Sequence, residues 1–545
     1  MTSGGTAEPD GAVSGPRSSL ARIGALYSGY WRLAGDLAGI ALGMSPVSPA
    51  ADDWRFRDRA WTDHPFYRRL GQAYTASCAV ADETLDDLAR TGRATPAARF
   101  LLTILESASA PTNTLLGNPA AVKRAYETGG LSLLRGVRNF AGDVRHNGGM
   151  PSTVDRSAYQ VGRDFAITPG AVVDRDPYAE VIQYRPGTEQ VQARPVLIVP
   201  PPIGRYYFLD LRPGRSMVEY AVGRGLQTFM LSWRNPTRDQ ADWNLDTYAG
   251  RVLTAIDAVR EVTGAPDIDV IGFCAGGILL TLALNHLAAL GQAPVHSASY
   301  AVTLLDWGQE VPIKAFSASR LLALARWNSA RAGVISARDM GGAFTWMRPD
   351  DLVWKSWVNN YLMGDKPPAF DILAWNADGT NLPAALHAQF LDIFEHNPLA
   401  TPGRLTCLGT PVDLSTITLP TYVTGGVTDH LTPWTSCYRT TQLLSGPSTF
   451  VLSNAGHIQS LVNPPGNPKA VYYAGAEPGA LPADPQAWLA TADKHTGTWW
   501  THWADWIIAQ SSGTQAAPAW LGSTEHPPLG DAPGCYVRDL VPADA

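Results

Sequence analysis

IDVIGFCAGGILLTLAL, residues 268–284, compresses a strand, a sharp turn and a helix into one short stretch. The apolar run IDVIG suits a strand buried on both faces, and ILLTLAL continues as a buried helix. Between them, Gly272-Phe273-Cys274-Ala275-Gly276-Gly277 follows the pattern G-x-S-x-G with cysteine in the serine position. Such a turn is tight, and glycine at 272 and 276 keeps side chains from colliding across it. Cys274 then stands at the N-terminus of a helix, where the dipole and the free N–H groups favour a thiolate. The N–H of Ala275 is placed to serve as one oxyanion donor. The bland alternative is a buried structural cysteine at a strand–helix corner.

Working outward, further short apolar strands alternate with helices: PVLIVP (195–200), LQTFMLSW (226–233), YAVTLL (300–305), LPTYVTG (419–425) and STFVLS (448–453). This alternation predicts an α/β fold, a mostly parallel sheet with helices on both faces. AVVDRDPYAEVIQYRP, before it, reads as a hairpin. The long connection between 305 and 419 has the length of a functional cap. The first 150 or so residues read as helices, with Thr95 and Pro96 as a helix start. The expected organisation is a disordered tail over 1–19, an α-helical domain over 20–160, and a catalytic domain over 161–545 with a cap inserted at about 308–415.

The chain has 545 residues and a formal net charge of -7, which argues against a nucleic-acid partner. Its five cysteines lie far apart with no C-x-x-C pair, which argues against a disulfide framework or structural zinc site and for a reducing, cytoplasmic home. No metal-ligand cluster is visible. The opening MTSGGTAEPDGAVSGPRSS lacks the apolar core of a signal peptide. No apolar run has the length of a spanning helix.

The turn at Cys274 also predicts its partners further along the chain, an acid after a late strand and a histidine after the last one. YVTGGVTDHLTPW supplies Asp429, and FVLSNAGHIQSLVNPP supplies His457. Asp429 would orient His457, and His457 would take the proton of Cys274. His430 is either an auxiliary base or a packed loop histidine. The second oxyanion donor belongs in LIVPPPIGRYYFLDL. Pro200, Pro201 and Pro202 have no N–H, so Ile203 is the nearest donor. Cysteine suits transfer between thioesters, because attack on a thioester yields another thioester and the acyl group stays activated for an alcohol.

These residues resemble the polyhydroxyalkanoate synthases, from about residue 54 to 510. WTDHPFYRRLGQAY, the block VLIVPPPIGRYYFLDLRPGRSMVEYAVGRGLQTFMLSWRNP, GFCAGG, NYLMGDKPPAFDILAWNADGTNLP, TDHLTPW and GHIQSLVNPP are similar to that family's motifs. The oxyanion loop departs from the family's usual residues at Pro202 and at Gly204-Arg205. The resemblance implies an α/β-hydrolase fold with a cap behind a helical N-terminal domain, and Cys274, Asp429 and His457 as a catalytic triad. It implies polymerisation of 3-hydroxyacyl-CoA into a growing polyester with release of CoA, and no cofactor beyond that thioester substrate. It also implies a homodimer at a cytoplasmic polymer granule, and looks closest to the self-sufficient class. The alternatives are a thioesterase or intracellular polyester depolymerase with the same residues, and a non-enzymatic granule scaffold. Product identity separates the first from a synthase, and release of free thiol separates the second.

Overall fold

The computed structural model describes residues 16–90, 96–308, 319–475 and 481–539. Residues 1–15 of the expected tail and 309–318 of the expected cap lie outside them. Residues 16–19, expected in the tail, instead open the helix Pro16–Ala41.

The chain divides into two compact units, one of Met1–Thr153 with Thr345–Pro367 and one of Val154–Phe344 with Pro368–Ala545. The first carries the helices Pro16–Ala41, Pro65–Arg90, Pro96–Ser109, Pro119–Glu127 and Leu131–His146. Asn118 caps Pro119–Glu127 by accepting from the Ala121 N–H at 3.1 Å, and Pro119 fills the first helical position, where no N–H is needed. Residues 345–367, expected within the cap insertion, pack instead on this unit. The Tyr361 hydroxyl donates to Asp143 at 2.7 Å, and Asn139 donates to the carbonyls of Asn360 and Asp365 at 2.9 and 3.0 Å. A Cβ at Gly136 would strike the Tyr361 carbonyl, so only glycine lets this segment so close to the helix Leu131–His146.

The second unit is built on eleven strands: Gly170–Arg175 (β1), Ala179–Tyr184 (β2), Val196–Val199 (β3), Thr228–Trp233 (β4), Ile268–Phe273 (β5), Val295–Ala301 (β6), Thr421–Gly426 (β7), Ser448–Ser453 (β8), Val471–Ala474 (β9), Asp493–Thr496 (β10) and Gly530–Asp531 (β11). Their order is β10-β9-β8-β7-β6-β5-β3-β4-β2-β1-β11. The run β4-β3-β5-β6-β7-β8 is parallel throughout, and the strands beyond either end of it are antiparallel. Alternate side chains feed two cores. Leu197, Val199, Phe229 and Leu231 face one, with the helices Leu245–Thr263 and Ala275–Ala289. Val196, Ile198 and Met230 face the other, with Trp499, Trp500 and Trp503 of the helix Trp499–Ala509. Both faces are therefore buried, which explains why parallel strands such as Val196–Val199 read as unbroken apolar runs.

The sequence places a strand at 300–305, whereas β6 spans Val295–Ala301. Its two serines are satisfied internally. Ser297 donates to Asp269 at 2.6 Å, and Ser299 accepts from Trp503 Nε1 at 3.0 Å. Partners on β5 and on a helix distant in sequence hide this strand from a hydropathy reading.

Candidate active site

The chain leaves β3 toward β4 on one side and β5 on the other, so the strand order reverses between β3 and β5. In open α/β sheets, ligands bind outside the carboxyl ends of the strands at such a reversal. Cys274 follows the last residue of β5, and the loop bearing Ile203 follows β3. Asp429 follows β7, and His457 follows β8. All four residues thus come from the same end of the sheet.

Cys274 has φ 49° and ψ -123°, a strained backbone for a residue with a side chain. Neighbouring contacts hold it there. Its N–H donates to the Ala301 carbonyl at 2.9 Å, and its carbonyl accepts from the Gly277 N–H at 3.0 Å and the Thr303 hydroxyl at 3.1 Å. The glycines answer to close approaches. A Cβ on Gly272 would sit 2.6 Å from the Gly277 Cα, one on Gly276 would strike the Val199 carbonyl, and one on Gly277 would strike the Thr303 hydroxyl. Cys274 is half-buried and ends on the first turn of the helix Ala275–Ala289, with Ala275 as its first residue. The Ala275 N–H belongs to the four that a helix leaves without an internal acceptor.

The His457 Nδ1 donates to Asp429 Oδ2 at 2.7 Å and lies 3.1 Å from the Thr432 hydroxyl. With Nδ1 given to Asp429, Nε2 is the nitrogen left for the Cys274 thiol, which interacts with the imidazole and helps raise its proton affinity. Asp429 is nearly sealed from solvent, and its oxygens are occupied. Oδ1 accepts from the N–H groups of Leu431 and Thr432, both at 2.9 Å, and Oδ2 accepts from the Thr432 hydroxyl at 2.7 Å.

The electrostatics derive from this geometry. Burial alone would raise the Asp429 carboxyl, but the charge and hydrogen bond of His457 and the bonds from Thr432 hold it below the usual carboxylate range. Burial alone would lower the His457 imidazole. The Asp429 charge and hydrogen bond, with the Cys274 interaction, outweigh that and raise it from 6.5 to about 10. With a pKa of about 10 the imidazole holds its proton at neutral pH, so it is set to deliver that proton to a leaving group and to recover one from an incoming hydroxyl, the work of a general acid and base. Cys437 lies behind the pair and donates to the Thr432 carbonyl at 3.5 Å. Burial and the neighbouring Asp429 charge push its thiol well up, so it is a poor nucleophile.

Of the residues expected from sequence, Cys274, Asp429 and His457 are brought together: His457 is hydrogen-bonded to Asp429 and interacts with the Cys274 thiol. Ala275 follows the sulfur-bearing residue directly. Ile203 is half-buried against the core that also contains Ala275. His430 is half-buried on the turn beside Asp429, but the bonds of that carboxylate run to Leu431, Thr432 and His457. Thr432 and Thr303 were not anticipated. The signal for Thr432 lay in Asp429-His430-Leu431-Thr432, where an aspartate accepts from backbone two and three residues on, as in an Asx turn. Among the described residues, one trio brings metal-ligating atoms within 4.8 Å of one another, Asp392, Glu395 and His396. Arg326 already pairs with Asp392 at 2.7 Å and Glu395 at 3.1 Å.

Residues 52–221 match the family model described as the N-terminus of poly-beta-hydroxybutyrate polymerase (PhaC), and residues 210–464 match that of the alpha/beta hydrolase fold. Poly(3-hydroxyalkanoate) polymerase 1 of Ectopseudomonas oleovorans is 44% identical over 92% of this chain and 89% of its own. Polymerase 2 of the same organism is 45% identical over 93% and 90%. The poly(3-hydroxyalkanoate) polymerase subunit PhaC of Cupriavidus necator is 37% identical over 97% and 90%. The likeness runs through the helical unit and the sheet alike, so this α/β-hydrolase chain belongs to the poly(3-hydroxyalkanoate) polymerase family.

Proposed function

We propose that this protein is a polyhydroxyalkanoate synthase, an acyltransferase that joins 3-hydroxyacyl units from coenzyme A thioesters into a polyester through an acyl group carried on Cys274. The observation that carries the proposal is the line from the Cys274 sulfur through the His457 imidazole to the Asp429 carboxylate. His457 accepts the Cys274 proton, and the thiolate attacks the thioester carbonyl carbon. The bond from that carbon to the CoA sulfur breaks, and CoA leaves with the proton held by His457. A 3-hydroxyl then gives its proton to His457 and attacks the acyl group. The bond to the Cys274 sulfur breaks, an ester bond forms, and the sulfur recovers its proton. The Ala275 and Ile203 N–H groups stabilise the oxyanion in both halves of the cycle. Asp429 keeps its charge and steadies the imidazolium.

The thioester is the substrate, and the cycle calls on no further cofactor. His430 takes no step in this cycle. The proposal extends to a homodimer at the surface of a cytoplasmic polymer granule. The homodimer rests on the family resemblance. The granule surface is also supported by Leu131, Leu134, Val137 and Val144, apolar side chains exposed on one helix. Among the described residues no helix is long and apolar enough to cross a membrane.

The test is product analysis with purified protein and 3-hydroxybutyryl-CoA. Insoluble polyester appearing with stoichiometric free CoA is expected. Free 3-hydroxy acid as the sole product would replace the synthase reading with a hydrolase.

A further inference from the structure

The loop after β3 is gripped by side chains from three places. The Pro200 carbonyl accepts from Trp233 Nε1 at 2.8 Å, the Pro202 carbonyl from the Thr380 hydroxyl at 2.9 Å, and the Arg205 carbonyl from Trp375 Nε1 at 2.7 Å. Thr380 is buried, at 2% exposure, and so cannot swing its hydroxyl out to solvent. The next residue fixes it further. The Asn381 N–H donates to the Asn235 side chain at 2.8 Å, and the Asn381 side chain donates to the Pro236 carbonyl at 2.9 Å.

The middle grip differs from the other two. Pro200, Pro201 and Pro202 offer no N–H, so the peptide joining Pro202 to Ile203 is the first in this loop to carry a donor. That peptide is trans and planar, so its C=O and N–H point in opposite directions. Whatever holds the Pro202 oxygen therefore also aims the Ile203 N–H. Among the described residues that N–H has no backbone or side-chain acceptor, as a donor reserved for a ligand requires. Its place is also fixed against the sulfur-bearing turn. Gly276 lies so close to the start of this loop that a Cβ there would strike Val199 and Pro200 backbone.

We propose that Thr380 is a positioning residue that locks the Pro202–Ile203 peptide so that the Ile203 N–H points at the developing oxyanion. This rests on the oxyanion role proposed for Ile203. Without the hydroxyl, the buried Pro202 oxygen would lose its donor, and the peptide could rotate to seek another. The N–H would then turn from the reacting carbonyl, although Thr380 itself touches neither substrate nor sulfur.

The experiment compares Thr380→Val, which keeps the shape and removes the donor, with Thr380→Ser, which keeps the donor. Both are assayed with 3-hydroxybutyryl-CoA for kcat and KM of CoA release, alongside melting temperature. Losing one oxyanion donor costs roughly 10²–10³ in kcat, so a misaimed one should cost about 10-fold or more. Thr380→Val is expected to lower kcat by that factor with KM nearly unchanged, and Thr380→Ser to restore it. If Thr380→Val does not fold, Thr380→Cys, close in size but a weak donor, replaces it. In a third protein, the α-hydroxy acid analogue of isoleucine replaces Ile203, so that an ester oxygen stands where the N–H was. A slow ester protein with an unimpaired Thr380→Val would overturn the positioning role and leave the oxyanion reading standing. An unimpaired ester protein would overturn the oxyanion reading, and the proposal with it. A fall in kcat equal in Thr380→Val and Thr380→Ser would also overturn the proposal, because bulk alone would then explain it.

Discussion

Asp429 and His457 leave adjacent parallel strands, β7 and β8, and meet at 2.7 Å between Oδ2 and Nδ1. The turn after β7 aims the carboxylate by presenting two backbone N–H groups to its other oxygen. The imidazole is thereby fixed in orientation and tautomer, and its remaining nitrogen is given to sulfur. Much of the site's chemistry reduces to this one contact, because it sets both where the base points and how strongly it holds a proton.

Asp429→Asn keeps the shape of the carboxylate and removes its charge. Burial then acts on the imidazole unopposed by that charge and lowers its proton affinity. Elongation should slow by roughly 10²–10⁴-fold, the range that a general base commands and that loss of a triad acid reaches. The rate of CoA release from 3-hydroxybutyryl-CoA measures it. A variant as fast as the parent would remove Asp429 from the mechanism.

The same pair should leave a signature in stability against pH. The folded imidazole is raised from 6.5 to about 10, so its contribution is complete below 6.5 and is lost as pH rises through about 10. The folded carboxyl lies below its ordinary 3.8, so its contribution is present above that value and is lost as pH falls through the lowered one. The melting-temperature difference between the parent and Asp429→Asn is therefore expected to be largest between about pH 4 and 6.5, and to shrink toward pH 10. A difference that stays constant over that range would contradict the assigned protonation states.

Glycine positions make a steric prediction. Gly276→Ala drives a methyl into Val199 and Pro200 backbone, which cannot rotate away as a side chain can. It should cost about 1–3 kcal/mol of stability by overpacking, and activity too, since the loop bearing Ile203 begins there. Gly142→Ala, in the helix Leu131–His146, meets nothing within 4 Å and should be neutral or stabilise by up to about 1 kcal/mol. Chemical denaturation of the two variants checks both signs.

The parallel core was legible because its physics is local. Strands such as Val196–Val199 and Ile268–Phe273 are buried on both faces and mostly apolar, and the turn at Cys274 needs its glycines at fixed offsets. Asp429 and His457 could be placed because each follows a strand that announces itself. What stayed hidden depends on partners distant in sequence. β10 reads DKHT, wholly exposed, and pairs only because β9 lies beside it. The start of β6 is masked by serines whose partners are Asp269 and Trp503. The segment 345–367 looks like part of one long insertion until Gly136 and Asp143 receive it. Thr380 carries no signal of its own, since the carbonyl it holds is that of a proline far upstream.

The central claim is a covalent acyl group on one sulfur. Rapid quenching of the full-length protein with 3-hydroxybutyryl-CoA, followed by peptide mass analysis, tests it most directly. The expected result is a 3-hydroxyacyl thioester on the peptide bearing Cys274. Cys274→Ala should fold normally and show neither this adduct nor CoA release. Acylation confined to another residue, or CoA released by Cys274→Ala at the parent's rate, would contradict the account.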